Sequence, residues 1–363
     1  MPVKTAPAPK RTQAAVDENK LHEFLGKVLG DFGAALSSGL SYIGVKLGLY
    51  KAMADGQAVT PAELAKKTGT VERYVREWLL NQASGGYVEY DAKTGRYRLP
   101  AEQAMALTDE SSAAYIAGGF YVIKAMLQSQ AKIAEAFKNG GGILWGEHDS
   151  DLFIGTEKFF RPGYAAHLTA TWIPALTGVE AKLKKGAKVA DIGCGHGAST
   201  IVMAKAYPKS RFTGFDNHKA SIEYARKAAA KAGVKNASFE VGSAEKFPGQ
   251  NYDLIAFFDC LHDMGNPVGA AKRAYQALAA NGSVLIVEPM AGHTVEENFN
   301  VIGRTFSAAS TLCCTSNSLA QGGPALGAVA SEKSLRETVQ KGGFGKFRRA
   351  AETPFNRIFE ARK

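Results

Sequence analysis

The sequence predicts an α/β fold: a parallel sheet with crossover helices, completed by a final pair of strands, behind an N-terminal helical winged-helix module. Three observations predict it. Short apolar strands alternate with helix-length, alanine-rich segments between Val189 and Pro289, the pattern of a parallel sheet with ligands at its carboxyl edge. Three glycines at alternate positions, Gly193, Gly195 and Gly197, follow the first of these strands and precede a helix. Nearer the N-terminus, two helical segments and a hairpin succeed one another between Thr60 and Leu99.

Residues 1–20 are rich in Pro, Lys, Ala and Thr, lack the apolar core of a signal peptide, and read as a disordered tail. Residues 21–110 read as a winged-helix and dimerisation domain. Thr60-Pro61-Ala62-Glu63 is a capping box with Pro at the first helical position, and its helix ends near Thr68-Gly69. A second helix, Val71 to Gln82, carries Val75, Trp78 and Leu79 on one face. Tyr87 to Tyr90, a turn at Asp91 to Gly95, and Arg96 to Leu99 complete the hairpin. The reading helix of such a module would expose Glu72, Arg73, Arg76 and Glu77, and its two acids repel a phosphate backbone. The apolar helix before it (Leu36, Leu40, Ile43, Leu47, Tyr50, Met53) has too many large side chains for one small module to bury. A homodimer contact is therefore expected, without specific nucleic-acid binding. Residues 111–186 read as a helical linker and substrate lid, rich in aromatics such as Phe120, Tyr121, Trp145, Phe153, Phe159, Phe160, Tyr164 and Trp172. Residues 187–363 read as the catalytic domain, ending in strands Lys346 to Ala351 and Phe355 to Ala361.

The formal charge of +10 is spread along the chain, and its densest cluster, Lys182 to Lys188, reads as a solvated approach to the first strand. No run approaches the ~20 apolar residues of a membrane span. Cys194, Cys260, Cys313 and Cys314 lack zinc spacing, so a reduced, cytoplasmic chain is expected.

The functional signal begins at Asp191-Ile192-Gly193-Cys194-Gly195-His196-Gly197. Glycines let the backbone turn sharply and approach a ligand without Cβ contact, and the following helix aims its free N–H groups at that ligand. Asp216 ends the second strand, 25 residues after Asp191, where a carboxylate can take both hydroxyls of a ribose. The third strand runs into the turn Gly242-Ser243-Ala244-Glu245. The fourth ends at Asp259, followed by Cys260-Leu261-His262-Asp263-Met264, and the fifth ends at Glu288-Pro289. Histidine, with a reference pKa of about 6.5, suits proton abstraction near neutral pH. His262 is the candidate base and Glu288, on the adjacent strand, its candidate orienting partner. Asp259, His262 and Asp263 lack a matching distal ligand motif, so no metal is expected.

The spacing D-x-G-x-G-x-G, with the ribose acid, the G-S-A-E turn, Y-D-L-I-x-x-x-D and G-S-V-L-I-V-E-P in order, resembles class I S-adenosylmethionine (SAM) methyltransferases. With the winged helix, the chain is similar to bacterial winged-helix SAM-dependent methyltransferases and, more distantly, to plant small-molecule O-methyltransferases. The resemblance implies a Rossmann-like seven-stranded sheet. It also implies SAM as cofactor, S-adenosylhomocysteine (SAH) as product, and a small-molecule acceptor. It places the cofactor on Asp191, Gly193, Gly195, Gly197, Asp216, Ser243, Ala244, Glu245 and Asp259. The plant segment L-x-H-D-W-x-D maps its base onto His262 and the adjacent acid onto Asp263, and its flanking glutamate onto Glu288. A second flanking glutamate of that family falls near Val329 and is absent here. Methylation at a hydroxyl is the leading expectation. Transfer to nitrogen or sulfur by proximity, and a SAM-binding transcriptional regulator without catalysis, remain open.

Overall fold

The structure, a computed structural model, describes residues 15–363. Residues 1–14 of the expected tail lie outside the described residues, but its last residues are helical. Helix α1 (Glu18–Lys46) is capped by Asp17, whose carboxylate accepts from the Asn19 and Lys20 amides. At 29 residues, α1 is long and apolar enough to cross a membrane by length and composition, contrary to the expectation that no run approaches a span. Its C-terminal half docks on the module behind it. Trp78 Nε1 donates to the Leu40 carbonyl at 2.9 Å and Asn81 Nδ2 to Ser37 Oγ at 3.0 Å, while the Tyr42 hydroxyl reaches beyond the module and donates to Asp151 at 2.7 Å. The expected apolar stripe from Leu36 to Met53 is broken. The chain turns at Gly48, which holds φ +72°, and Tyr50 and Met53 enter the module's own core. Leu36, Ile43 and Leu47 of the stripe stay exposed, and the exposed apolar residues of α1 extend upstream through Phe24, Leu25, Leu29 and Phe32.

The winged helix follows as α2 (Pro61–Thr68), α3 (Glu72–Ser84), β1 (Glu89–Asp91), β2 (Arg96–Arg98) and α4 (Ala101–Thr108). The Thr60–Glu63 capping box forms, and left-handed Gly69 ends α2. Val75, Trp78 and Leu79 pack with Leu64, Val88 and Leu99. The arginines of the reading helix and wing are each paired with an acid: Arg73 with Glu77, Arg76 with Glu72, Arg96 with Glu63, and Arg98 with Glu89. Exposed pairs of this kind add little stability, but they leave these cations already neutralised.

Between the module and the main sheet run α5 (Gly118–Gln128), α6 (Gln130–Asn139), α7 (Asp151–Gly163), a π-helical segment Tyr164–Trp172, and α8 (Val179–Lys185). The sheet domain then alternates β3 (Lys188–Ile192), α9 (Ala198–Ala206), β4 (Arg211–Asp216), α10 (Lys219–Lys231), β5 (Ala237–Val241), β6 (Tyr252–Phe258), α11 (Pro267–Ala277) and β7 (Leu278–Pro289). It closes with α12 (Val301–Ala309), α13 (Thr315–Ala320), α14 (Glu332–Lys341), β8 (Lys346–Glu352) and β9 (Asn356–Arg362). The seven strands are ordered β5-β4-β3-β6-β7-β9-β8, parallel from β3 to β7, with β9 antiparallel to both neighbours. This is the expected class I sheet.

Alternation along the strands builds two cores. Ala190, Ile192, Ile255, Phe257 and Ile286 face α11 and α14, while Val189, Leu254, Ala256, Phe258 and Val287 face α8, α9 and the Tyr164–Trp172 segment. Strands buried on both faces read as the near-continuous apolar runs seen in the sequence. The chain reverses direction across the sheet at β3, between β4 and β6, and ligands bind at such a switch point.

Candidate active site

A cavity of about 430 Å³ opens at the carboxyl ends of β3, β4 and β6, within the range of small-molecule sites. Gly193, Gly195, Asp216, Ser243, Ala244, Glu245, Asp259 and Asp263 line it. Asp191, Gly197, His262 and Glu288 do not.

The three glycines divide the work of the loop. All hold positive φ. A Cβ on Gly193 would stand 2.8 Å from Cys260 Sγ, and one on Gly197 would stand 2.6 Å from the Phe239 ring. A Cβ on Gly195 would meet nothing within 4 Å, so this glycine presents bare backbone to the cavity. Gly197 is therefore a packing residue that lets α9 settle onto the sheet. Asp191 is likewise internal. Its Oδ2 accepts from Ser199 Oγ at 2.7 Å and Thr200 Oγ1 at 2.6 Å, which pins the first turn of α9 to β3. Burial pushes its pKa up to about 6.

Asp216 faces the cavity at the end of β4. Its Oδ2 accepts from the Gly195 amide at 2.9 Å and its Oδ1 from the His218 amide at 2.8 Å. An ionised carboxylate offers about four acceptor positions, so two remain for a ligand. After the neighbouring strand β5, Glu245 accepts from Asn266 Nδ2 at 2.6 Å, beside Ser243 and Ala244. His196 stacks on Tyr224 with centroids 3.9 Å apart, and burial holds its pKa down to about 4.

Beyond β6 the acids have separate roles. Asp259 holds φ +51°, and its oxygens accept from the Tyr164 hydroxyl at 3.0 Å and Asn356 Nδ2 at 2.8 Å. It braces the helical region to β9 from the cavity wall. Burial, reinforced by Glu288, raises its pKa to about 8. The short turn Leu261–Asp263 then swings His262 inward and Asp263 outward. His262 Nδ1 meets Glu288 Oε2 at 2.5 Å, with both side chains almost wholly buried. Burial alone would lower the His262 pKa. The Glu288 carboxylate, with the Cys314 thiol that also meets the ring, outweighs it and holds the imidazole well above its usual range. Asp263 faces the cavity with its pKa pushed up to about 7, by burial against the opposing pull of His262. The donors of Asp259 and His262 are thus committed to Tyr164, Asn356 and Glu288 rather than converging on an ion.

The roof comes from residues far away in sequence. Ser316 Oγ accepts from the Ile143 amide at 2.8 Å, and Asn317 Oδ1 from the Trp145 amide at 2.9 Å. Asn317 Nδ2 also donates to the Asp263 carbonyl at 2.9 Å, tying the roof to the Leu261–Asp263 turn. Of the aromatics noted in the sequence, Trp145, Phe153, Phe160 and Tyr164 line the cavity, while Trp172 lies in the core. Sequence reasoning missed Glu157, His218, Asn317 and Gln321, which also line it. No motif marks these four.

Comparison with known proteins agrees with this architecture. Residues 183–343 match a methyltransferase domain, and residues 34–109 match an Rv2258c-like winged HTH domain. A 123-residue segment is 28% identical to (S)-tetrahydroprotoberberine N-methyltransferase of Eschscholzia californica, covering 34% of this chain and 35% of that one. A 108-residue segment is 33% identical to aklanonic acid methyltransferase DauC of Streptomyces sp. (strain C5), covering 29% of this chain and 49% of the relative. The chain thus spans about a third to a half of the length of these curated relatives. Among solved structures, mitomycin 7-O-methyltransferase MmcR superposes with a TM-score of 0.72 at 16% identity, over 96% of this chain and 100% of that one. Human N-acetylserotonin methyltransferase, solved with SAM, superposes with a TM-score of 0.69 at 16% identity, over 97% and 99%. At these identities the likeness is one of fold. Residues 183–343 thus carry a methyltransferase domain, behind a winged helix-turn-helix domain at residues 34–109.

Proposed function

We propose that the protein is a SAM-dependent methyltransferase acting on a small molecule at a hydroxyl. In this reading His262 is the base, Glu288 its orienting partner, and Asp263 the acid facing the acceptor. The residues present suit SAM. Gly195 offers bare backbone, Asp216 keeps acceptor positions for the ribose, and Ser243 to Glu245 stand where an adenine would lie. His196 Nδ1, on the loop that lines the cavity, also lacks a hydrogen-bond partner among the described residues. When bound, SAM supplies a methyl group already activated as a sulfonium. The protein's task is then to align the acceptor and take its proton.

The observation that carries the reading is the His262–Glu288 pair at the end of β6, one residue from Asp263 in the cavity wall. With Nδ1 committed to Glu288, Nε2 is the nitrogen left to accept a proton. The pair lies just behind the wall, and catalytic contacts often tighten only when the substrate is bound. The expected test follows SAH release with a panel of phenols as the pH is raised. Only the neutral ring is a base, and Glu288 raises its pKa, so kcat/KM should climb at a pH above the ordinary histidine value of 6.5. Glu288→Gln removes the charge that favours the imidazolium, so the rising limb should move to lower pH while its plateau falls. A limb unmoved by Glu288→Gln would sink the dyad. No SAH release with any phenol would favour a different acceptor.

A second reading, methyl transfer to nitrogen or sulfur by alignment alone, is favoured by the position of His262 behind the wall rather than in it. The regulator reading is disfavoured by the paired arginines of the reading helix and wing.

We also propose a homodimer through α1. Phe24, Leu29, Phe32 and Leu36 are each at least 60% exposed, and Arg304 of α12 holds Asp31 of α1 at 2.9 Å beside exposed Phe299 and Val301. Light scattering at micromolar protein should report twice the chain mass, and Leu29→Asp with Phe32→Asp should return the monomer. A monomeric wild type would overturn it.

A further inference from the structure

Arg357 is a buried cation that the chemistry described above does not use. It sits on β9 and is 1% exposed, and its hydrogen bonds go to two carbonyls rather than to an acid. Nε donates to the Pro289 carbonyl at 2.9 Å and Nη2 to the Ala330 carbonyl at 2.8 Å. A guanidinium does not give up its proton near neutral pH, and a charge buried this deeply is costly unless an opposite charge offsets it. The strand register supplies that charge. Glu288 and Arg357 are direct partners on antiparallel β7 and β9. Side chains of such a pair leave the sheet on the same face, with Cβ atoms about 5 Å apart. Burial pulls the pKa of Arg357 below its usual range, and the Glu288 carboxylate is the largest pull the other way.

The rest of the surroundings favours a proton on the His262–Glu288 pair. Asp259, Cys260 and Asp263 face it from the end of β6 and the turn that follows. Cys314 faces it from the π-helical segment Ser310–Cys314. None of these can carry a positive charge, so each, when ionised, strengthens the pair's hold on a proton. Behind Arg357, Arg349 of β8 and Glu332 of α14 pair with each other at 2.9 Å. Arg357 is therefore the cation left facing the pair, and a positive charge beside an acid favours loss of its proton. Arg357 also ties the backbone of the two residues together. Its acceptor residue Ala330 donates from its amide to Gly327 at 3.0 Å, and the Gly327 amide donates to the His262 carbonyl at 3.1 Å. The guanidinium thus bridges the end of the strand that carries Glu288 to the loop that holds His262.

We propose that Arg357 is a positioning residue for the base: its buried charge, set against Glu288 from the neighbouring strand, lets the His262–Glu288 pair release its proton closer to neutral pH. The proposal rests on the reading of His262 as the base. Arg357 acts through Glu288 and touches neither acceptor nor cofactor.

The test follows the His262 ring by NMR of the full chain labelled with 13C-histidine, its signal assigned by its loss in His262→Asn, beside the pH profile of kcat/KM with the phenol panel. Arg357→Gln keeps a hydrogen-bond donor and removes the charge. Arg357→Lys keeps the charge and gives up the fork that reaches both carbonyls. In Arg357→Gln the midpoint of the His262 titration should rise by about one pH unit or more, the effect of a nearby charge. The rising limb of kcat/KM should move with it, the reverse of the shift expected for Glu288→Gln. Arg357→Lys should titrate as the wild type does, even with a lower thermal midpoint, because a purely structural role would move stability and not the titration. An unmoved midpoint in Arg357→Gln overturns the proposal, and so does a midpoint raised as far in Arg357→Lys as in Arg357→Gln. Should Arg357→Gln fail to fold, Arg357→Lys decides: a wild-type midpoint supports the role of the charge, and one raised by about a unit overturns it. A midpoint that rises in Arg357→Gln while the pH limb of kcat/KM stays in place upholds the action of Arg357 on the pair and overturns the base reading instead.

Discussion

Replacing His262 with asparagine should lower turnover by about 10²–10⁴-fold, the usual contribution of general-base catalysis, and leave SAH affinity nearly intact. Asparagine is the informative variant because of what lies beneath the ring. Glu288 is 1% exposed, and its Oε1 has no hydrogen-bond partner among the described residues, so His262 Nδ1 is its main compensation. Alanine would leave that carboxylate buried and unpaired, a defect worth about 3–5 kcal/mol in comparable buried pairs. Asparagine can still donate from a position near Nδ1 but has nothing in place of Nε2. His262→Ala should therefore lose both stability and turnover, while His262→Asn should lose turnover and keep most of its thermal midpoint. The rising pH limb should vanish in both. Near-normal turnover of a hydroxyl acceptor by His262→Asn would reject the base and leave alignment alone as the better account.

The contrast between His262 and Asp263 shows what was legible in the sequence. The spacing after the fourth strand put both residues at the sheet edge, and both are there. Only the turn Leu261–Asp263 decides that one faces Glu288 and the other the cavity. The glycine loop behaves the same way. Its spacing identified the turn, but Gly197 meets Phe239 and Asp191 holds Ser199 and Thr200, so the motif's residue types serve the loop's shape as much as its ligand. The central strands β3, β6 and β7 were readable because burial on both faces leaves continuous apolar runs. The roof was not, because Ser316 and Asn317 reach residues 172 or 173 positions away through backbone amides. Contacts of that kind leave no period in either segment. Helix α1 was misjudged for a related reason: Tyr50 and Met53 continue its apolar spacing, yet the turn at Gly48 sends them into another core.

Substitution of Asp216 by alanine should weaken SAH binding by at least tenfold, because the carboxylate serves two purposes. It keeps acceptor positions for two ribose hydroxyls, and it holds the Gly195 and His218 amides at 2.9 and 2.8 Å. One hydrogen bond to a charged group is worth about 1.5–3 kcal/mol, and about 1.4 kcal/mol is a factor of ten. Loss of the loop's anchor adds to the loss of the ribose. Asparagine should do little better than alanine. Its amide group would face one of two backbone donors, so at most one of the present hydrogen bonds survives. Because 5′-methylthioadenosine carries the same ribose, its affinity should suffer as that of SAH does. Burial also raises the pKa of Asp216. Protonation removes an acceptor, so wild-type affinity should fall as pH drops through that raised value, and the alanine variant should lack this dependence. Calorimetry showing SAH affinity unchanged by Asp216→Ala would place the ribose elsewhere in the cavity and detach the ribose role from the end of β4.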